Sequence, residues 1–142
     1  MSYEKNIRLG RSKNFLSPIE IKNRFNLTFK VVDDVCRSPN EPWFGKVKKV
    51  ILFGSLARGE GSLESDSDVM FLCENIFSNP RDYEGIIYRF DRLVRKYSDI
   101  HKVPFSINSN FILEDWYESG DNSNLGYILD AIRNEGKVIW EK

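Results

Sequence analysis

Two apolar runs constrain what this chain can fold into: Val50-Ile51-Leu52-Phe53 and Val69-Met70-Phe71-Leu72. Short runs of this kind bounded by turn residues read as buried strands, which need cover on their faces. The first run ends a strand predicted over residues 46–53. The second lies in a strand predicted over 67–73, whose start alternates Asp66 and Asp68 on one side with Ser67 and Val69 on the other. Between the strands lie a Gly54-Ser55 pair, a loop of small and polar residues, and the two aspartates.

The cover comes from amphipathic segments. Ser17-Pro18-Ile19-Glu20 is a helix start, with Ser17 as N-cap, Pro18 at the first helical position and Glu20 completing a capping box. Ile21, Phe25, Phe29, Val32 and Cys36 then recur at helical spacing, and the helix is predicted to end near Arg37, before Ser38-Pro39-Asn40-Glu41-Pro42. A second helix is predicted over residues 81–97, with Tyr83, Ile86, Ile87, Phe90, Val94 and Tyr97 on its apolar face. A third strand is expected over 103–111, a short helix over 114–117, and a loop over 119–124. A last helix carries Leu125, Ile128, Leu129 and Ile132 and stops at Gly136, before a terminal strand or clasp, Val138-Ile139-Trp140. Few strands with helices against them make an α/β (α+β) fold, a mixed sheet with helices packed on it. Residues 17–142 form one domain in this reading, preceded by a basic arm over 1–16 with Lys5, Arg8, Arg11 and Lys13.

Composition narrows the function classes. An apolar fraction of 41% with three Trp, six Tyr and ten Phe supplies a single core. No stretch is apolar enough to span a bilayer, so no membrane association is expected, and the polar, basic start does not read as a secretory leader. Cys36 and Cys73 each sit in an apolar segment and read as buried free thiols, which points to the cytoplasm. Residues 1–50 carry 11 Lys/Arg against 5 Asp/Glu, a net +6 that the rest of the chain cancels. This, like the Arg89, Arg92, Arg95 and Lys96 face, reads as solvated surface rather than a nucleic-acid interface. His101, the only histidine, has no second ligand type nearby and reads as a loop residue. Trp43, Trp116 and Trp140 read as core or rim.

Chemistry concentrates in the central loop. A glycine directly after a buried strand lets a ligand approach the backbone closely. Ser55 is expected to cap the turn begun by Leu56-Ala57-Arg58, leaving N–H donors for a phosphate, with Arg58 adding charge. Asp66 and Asp68, at i and i+2 of an extended chain, have Cα atoms ~6.6–6.8 Å apart and point the same way. They can present two carboxylates to one metal, or to two metals sharing a ligand. Each feature alone is more often ordinary turn chemistry than a site.

Together they are more specific. Ten residues separate Ser55 from Asp66, giving strand, Gly-Ser, ten residues, Asp-x-Asp, strand. This pattern resembles the DNA-polymerase-beta-like nucleotidyltransferase superfamily, and Gly54-Ser55-Leu56-Ala57-Arg58-Gly59 resembles its small bacterial members, the minimal nucleotidyltransferases. The resemblance runs over residues 47–140 and includes the ending from Ile128 to Trp140, a helix, Glu135-Gly136 and an apolar clasp. It implies transfer of a nucleoside monophosphate, AMP from ATP, out of a Mg²⁺-bound nucleoside triphosphate onto a hydroxyl acceptor. Gly54, Ser55 and Arg58 would hold the nucleotide, and Asp66 and Asp68 would ligate Mg²⁺ and carry catalysis. The resemblance also implies a partner, a HEPN-domain toxin for which this chain would be the antitoxin. The family's third carboxylate, on a later strand, has no acid to match it in Val103-Pro104-Phe105-Ser106-Ile107-Asn108-Ser109, where Ser106 takes the aligned position. Asp99, Glu114 and Asp115 are the nearest acids. An alternative follows: a catalytically weakened binding module that acts by occluding its partner.

Overall fold

The computed structural model describes residues 15–77, 79, 81–119 and 126–142. The basic arm, apart from its last two residues, and most of the predicted 119–124 loop lie outside them. Helix α1 spans Pro18–Cys36, strand β1 Val47–Phe53, the one-turn helix α2 Gly54–Ala57, and strand β2 Ser67–Cys73. Helix α3 (Asp82–Ile100), strand β3 (Ile107–Leu113), and helices α4 (Glu114–Ser119) and α5 (Gly126–Glu135) follow, and strand β4 (Lys137–Glu141) ends the order. The sheet runs β3-β2-β1-β4. Strand β1 is antiparallel to both neighbours. β3 is parallel to β2, as a crossover through α3 requires.

Side-chain alternation sorts the core onto two faces. Val50 and Leu52 of β1, Val69 and Phe71 of β2, and Phe111 of β3 pack with Val31, Val32 and Val35 of α1 and with Phe90 and Val94 of α3. Phe90 meets Trp43, Phe71 and Phe111 edge to face, with centroids 4.7, 4.5 and 5.3 Å apart. On the opposite face Ile51, Phe53, Met70, Leu72 and Ile112 pack with Leu129 and Ile132 of α5. Both faces of the central strands are therefore dry, which is why their sequences read as continuous apolar runs.

The capping box forms as expected: Ser17 Oγ accepts from the Glu20 amide, and Glu20 Oε1 accepts from the Ser17 amide. The apolar face that periodicity predicts for α1 does turn to the core, with Val32 and Cys36 buried and Ile21 and Phe25 packed partly against it, but the buried surface is wider and one residue falls outside it. Phe29 is 40% exposed, while Arg24 and Thr28 are buried beside Val31, Val32 and Val35. Polar side chains occupy this face because the neighbouring loop and strand satisfy them: Thr28 Oγ1 donates to Ser67 Oγ at 3.0 Å, and Arg24 donates to loop carbonyls. The third strand also differs from expectation. It starts at Ile107, in register with Ser67, and residues 103–106 lead into it without strand structure. The turn before it contains Lys102 at φ 54°, a left-handed conformation that ends the helical path.

Cys36 and Cys73 are buried and unpaired. Burial pushes the Cys73 thiol up to about 12 and Cys36 higher still, so both are protonated, inert core residues. His101 caps the end of α3 and bonds Asp34 of α1 through Nε2. Trp43 is fully buried, and Trp140 donates to Asp33 Oδ1 at 3.0 Å. The side chain of Trp116 lies outside the described residues. Arg89 pairs with Glu41, and the Arg92 guanidinium lies 5.8 Å from the Tyr88 ring centroid on the outer surface of α3.

Candidate active site

The hairpin of β1 and β2 builds the site at one end of the sheet. Phe53 is the register partner of Asp68, so the residue after Phe53 turns directly beneath the Asp68 side chain. That residue is Gly54, at φ 77°. A Cβ added there would stand 2.5 Å from Asp68 Oδ2, so glycine is required both for the backbone angle and for the carboxylate's position. Gly54→Ala is expected to cost about 1–2 kcal/mol for the left-handed backbone. It should also push Asp68 out of place, so that divalent-cation affinity falls more than melting temperature does. Calorimetric titration with Mn²⁺, compared with thermal denaturation, checks this.

Asp68 is part-buried, with one carboxylate oxygen toward Gly54 and the other accepting from Asn108 Nδ2 at 3.0 Å. Burial raises its carboxyl above the usual range; the Asn108 bond opposes this, and the nearby Asp66 charge adds to the rise. The two aspartates are thus close enough to feel each other's charge, and one is partly withdrawn from water. That combination suits a hard cation, which would neutralise both and complete its shell with waters and phosphate oxygens. Two carboxylates, one of them part-buried, are the donor type that such an ion takes.

The loop between Ser55 and Asp66 is held from several sides. The Leu16 amide donates to the Gly61 carbonyl at 2.9 Å, and the Ser62 amide to Ser65 Oγ at 2.9 Å. Arg24, 8% exposed, donates to the carbonyls of Ser65 at 2.7 Å and Leu63 at 2.9 Å, and its guanidinium lies 4.5 Å from the Phe105 ring centroid. Arg24 is a site residue that the sequence reading misses; the one signal for it is an arginine within the core-facing side of a helix, which needs partners to be buried.

Two expectations need correction. Ser55 is not the cap of the turn: α2 begins at Gly54, the N-cap is Phe53, and no side chain caps it. Ser55 lies inside the turn, where its carbonyl accepts from the Arg58 and Glu60 amides. The position beside Asp68 on the third strand is held by Asn108, not Ser106. Asn108 is in register with Asp68, whereas Ser106 precedes β3 and accepts from the Ser67 amide through its carbonyl. Arg58 follows Gly54 and Ser55 on the same turn, but its guanidinium is engaged by Glu60 and by both oxygens of Glu135 at 3.0 Å. It links the loop to the end of α5.

The family model for the nucleotidyltransferase domain matches residues 30–121, which include β1, the Gly-Ser turn, both aspartates and β3. The chain belongs to the nucleotidyltransferase domain family. The fold agrees: a crystal structure of a provisionally assigned nucleotidyltransferase from Sulfolobus solfataricus superposes with a TM-score of 0.50 at 22% identity, covering 89% of each chain. No curated protein matches the sequence significantly. The family's chemistry is nucleotidyl transfer, and the matched region holds Gly54, Ser55, Arg58, Asp66 and Asp68. Among the described residues, no helix is long and apolar enough to cross a membrane.

Proposed function

We propose that this nucleotidyltransferase domain binds a nucleoside triphosphate with Mg²⁺ and transfers a nucleoside monophosphate, AMP from ATP, to a hydroxyl acceptor. The observation that carries the reading is the Asp68 carboxylate seated over Gly54, next to Asp66, at the end of a hairpin whose loop is fixed by Arg24. Asp66 and Asp68 hold the cation, and the Gly54-Ser55 turn receives the triphosphate with no side chain at Gly54 to block it. When bound, Mg²⁺ supplies charge neutralisation of the phosphates and of the departing pyrophosphate. The chain's own contribution is position: a rigid turn and two carboxylates orient the triphosphate so that its α-phosphorus is presented to the acceptor. Arg58 joins the triphosphate site only by exchanging Glu60 or Glu135 for a phosphate oxygen.

The acceptor proposed is a protein partner of HEPN type. The resemblance of Gly54-Ser55-Leu56-Ala57-Arg58-Gly59 to the minimal nucleotidyltransferases is what supports this choice. Incubation with α-labelled ATP, Mg²⁺ and a co-purified partner should place label on the partner, and chelation of the metal should abolish it. No label in the presence of Mg²⁺ would reject transfer. A second reading, an occluding module whose transfer is weakened, is favoured by one observation: an amide, Asn108, stands where a carboxylate would serve as base. In that case partner binding is unchanged by removing Mg²⁺ and nucleotide.

A further inference from the structure

We infer that this site accommodates one divalent cation rather than two, and that Asn108 is the residue that sets this number. The inference rests on the metal–nucleotide reading above. A two-metal site needs a carboxylate shared between ions roughly 3.5–4 Å apart, and further ligands on both sides of it. Asp68 is the shared candidate. On one side, toward Oδ2, lies Gly54, which has no side chain to ligate an ion; Asp66 precedes Asp68 by two residues at the same strand end. On the other side the neighbouring strand is β3, and parallel register sets Asn108 beside Asp68 and Asn110 beside Met70.

Asn108 turns its amide N–H group toward Asp68 Oδ1. A donor at that point brings no negative charge, so where a carboxylate would supply a second cation with a ligand the strand supplies none. Asn110 is committed elsewhere, donating to the Val69 carbonyl at 3.3 Å. The nearest carboxylate sharing a cavity with Asn108 is Asp91, in a pocket of about 170 Å³ that Arg95 and Ser109 also line. Asp91 belongs to α3, on the other face of the sheet, and accepts from Ser109 Oγ. It therefore does not replace the missing ligand. Among the described residues, no group of three or more His, Cys, Asp or Glu is placed to hold an ion. The chemistry that follows is retention of a metal-bound nucleoside triphosphate with the acceptor hydroxyl left without a second cation to activate it.

Substitution at Asn108 tests this with ion counting rather than turnover. Protein is dialysed to equilibrium against Mn²⁺ and a non-hydrolysable ATP analogue, and bound Mn²⁺ is read by electron paramagnetic resonance. The wild type should hold one ion per chain beyond an Asp66→Asn/Asp68→Asn control. Asn108→Asp should hold two, and Asn108→Ala, which removes the amide without adding a ligand, should stay at one. Asn108 is exposed on an edge strand, so circular dichroism should show the variants folded. If Asn108→Asp is unfolded without metal, folding on addition of two equivalents of Mn²⁺ supports the same conclusion. Folding with one equivalent opposes it. Two ions in the wild type or in Asn108→Ala, or one in Asn108→Asp, would overturn the inference while leaving the metal–nucleotide site standing. No ion above control in any protein would remove that site, and the inference with it.

Discussion

An Asp66→Asn/Asp68→Asn protein is expected to be at least as heat-stable as the wild type without metal, and far less stable than it with Mg²⁺ and ATP. The sign follows from the local electrostatics. Asp68 is part-buried and beside Asp66, and its carboxyl is raised mainly by that burial. An ionised group in such a place opposes folding, and the amide replacements remove the charge while keeping size and the ability to accept from Asn108. With ligand at 100 times its dissociation constant, the wild type gains about 2.7 kcal/mol. For a domain of this size that is roughly 8–11 °C of melting temperature. The variant should gain none of it. Removing even an outer-shell partner of a metal ligand costs about 10–100-fold in affinity, and removing both ligands costs more. Differential scanning fluorimetry with and without Mg²⁺·ATP therefore shows the two melting curves exchanging order. If the variant kept its ligand-induced shift, Asp66 and Asp68 would not be the cation's ligands.

The features legible in the sequence are those set by neighbours along the chain. The capping box at Ser17, the bounds of β2 and the stop of α5 before Gly136 depend on residues three or four apart, or on one alternating run. Gly136 also shows why the stop falls on a glycine: a Cβ there would collide with the Ile132 carbonyl oxygen and stand 2.7 Å from Ile51 Cγ2. The features misread are those decided by partners far away in sequence. Val103 and Phe105 look like strand residues, yet Val103 packs partly against the core and Phe105 lies under Arg24. The strand begins only where Ile107 can pair with Ser67. Arg58 looked available for phosphate because its partner Glu135 lies 77 positions on. Asn108 became the residue next to Asp68 only through the parallel register with β2. The candidate site divides along the same line. The Gly54-Ser55 and Asp66/Asp68 spacing is a local pattern and was readable, whereas the residues that tune it, Arg24, Asn108 and Glu135, arrive from α1, β3 and α5.

Arg24→Ala should be among the most destabilising single changes in the chain, with its effect felt at the metal site rather than only in the core. The side chain is nearly inaccessible and donates twice, to Ser65 and Leu63, across about forty residues of sequence (|i−j| of 41 and 39). Hydrogen bonds from a charged group contribute about 1.5–3 kcal/mol each. Water admitted to the cavity satisfies part of what is lost, so about 2–4 kcal/mol is expected overall. At this chain length that is roughly 6–15 °C in melting temperature. Arg24→Lys should recover little of it, because an ammonium reaches one carbonyl well and does not lie flat on Phe105. The carbonyls that Arg24 holds belong to residues just before Asp66, so loosening them lets the first aspartate drift from the second. Mn²⁺ affinity measured well below the melting temperature should therefore fall about tenfold or more in Arg24→Ala, the lower end of what loss of a positioning partner costs a metal site. A purely structural arginine predicts a lower melting temperature with unchanged affinity. Unchanged values of both would show that the loop holds its shape without α1.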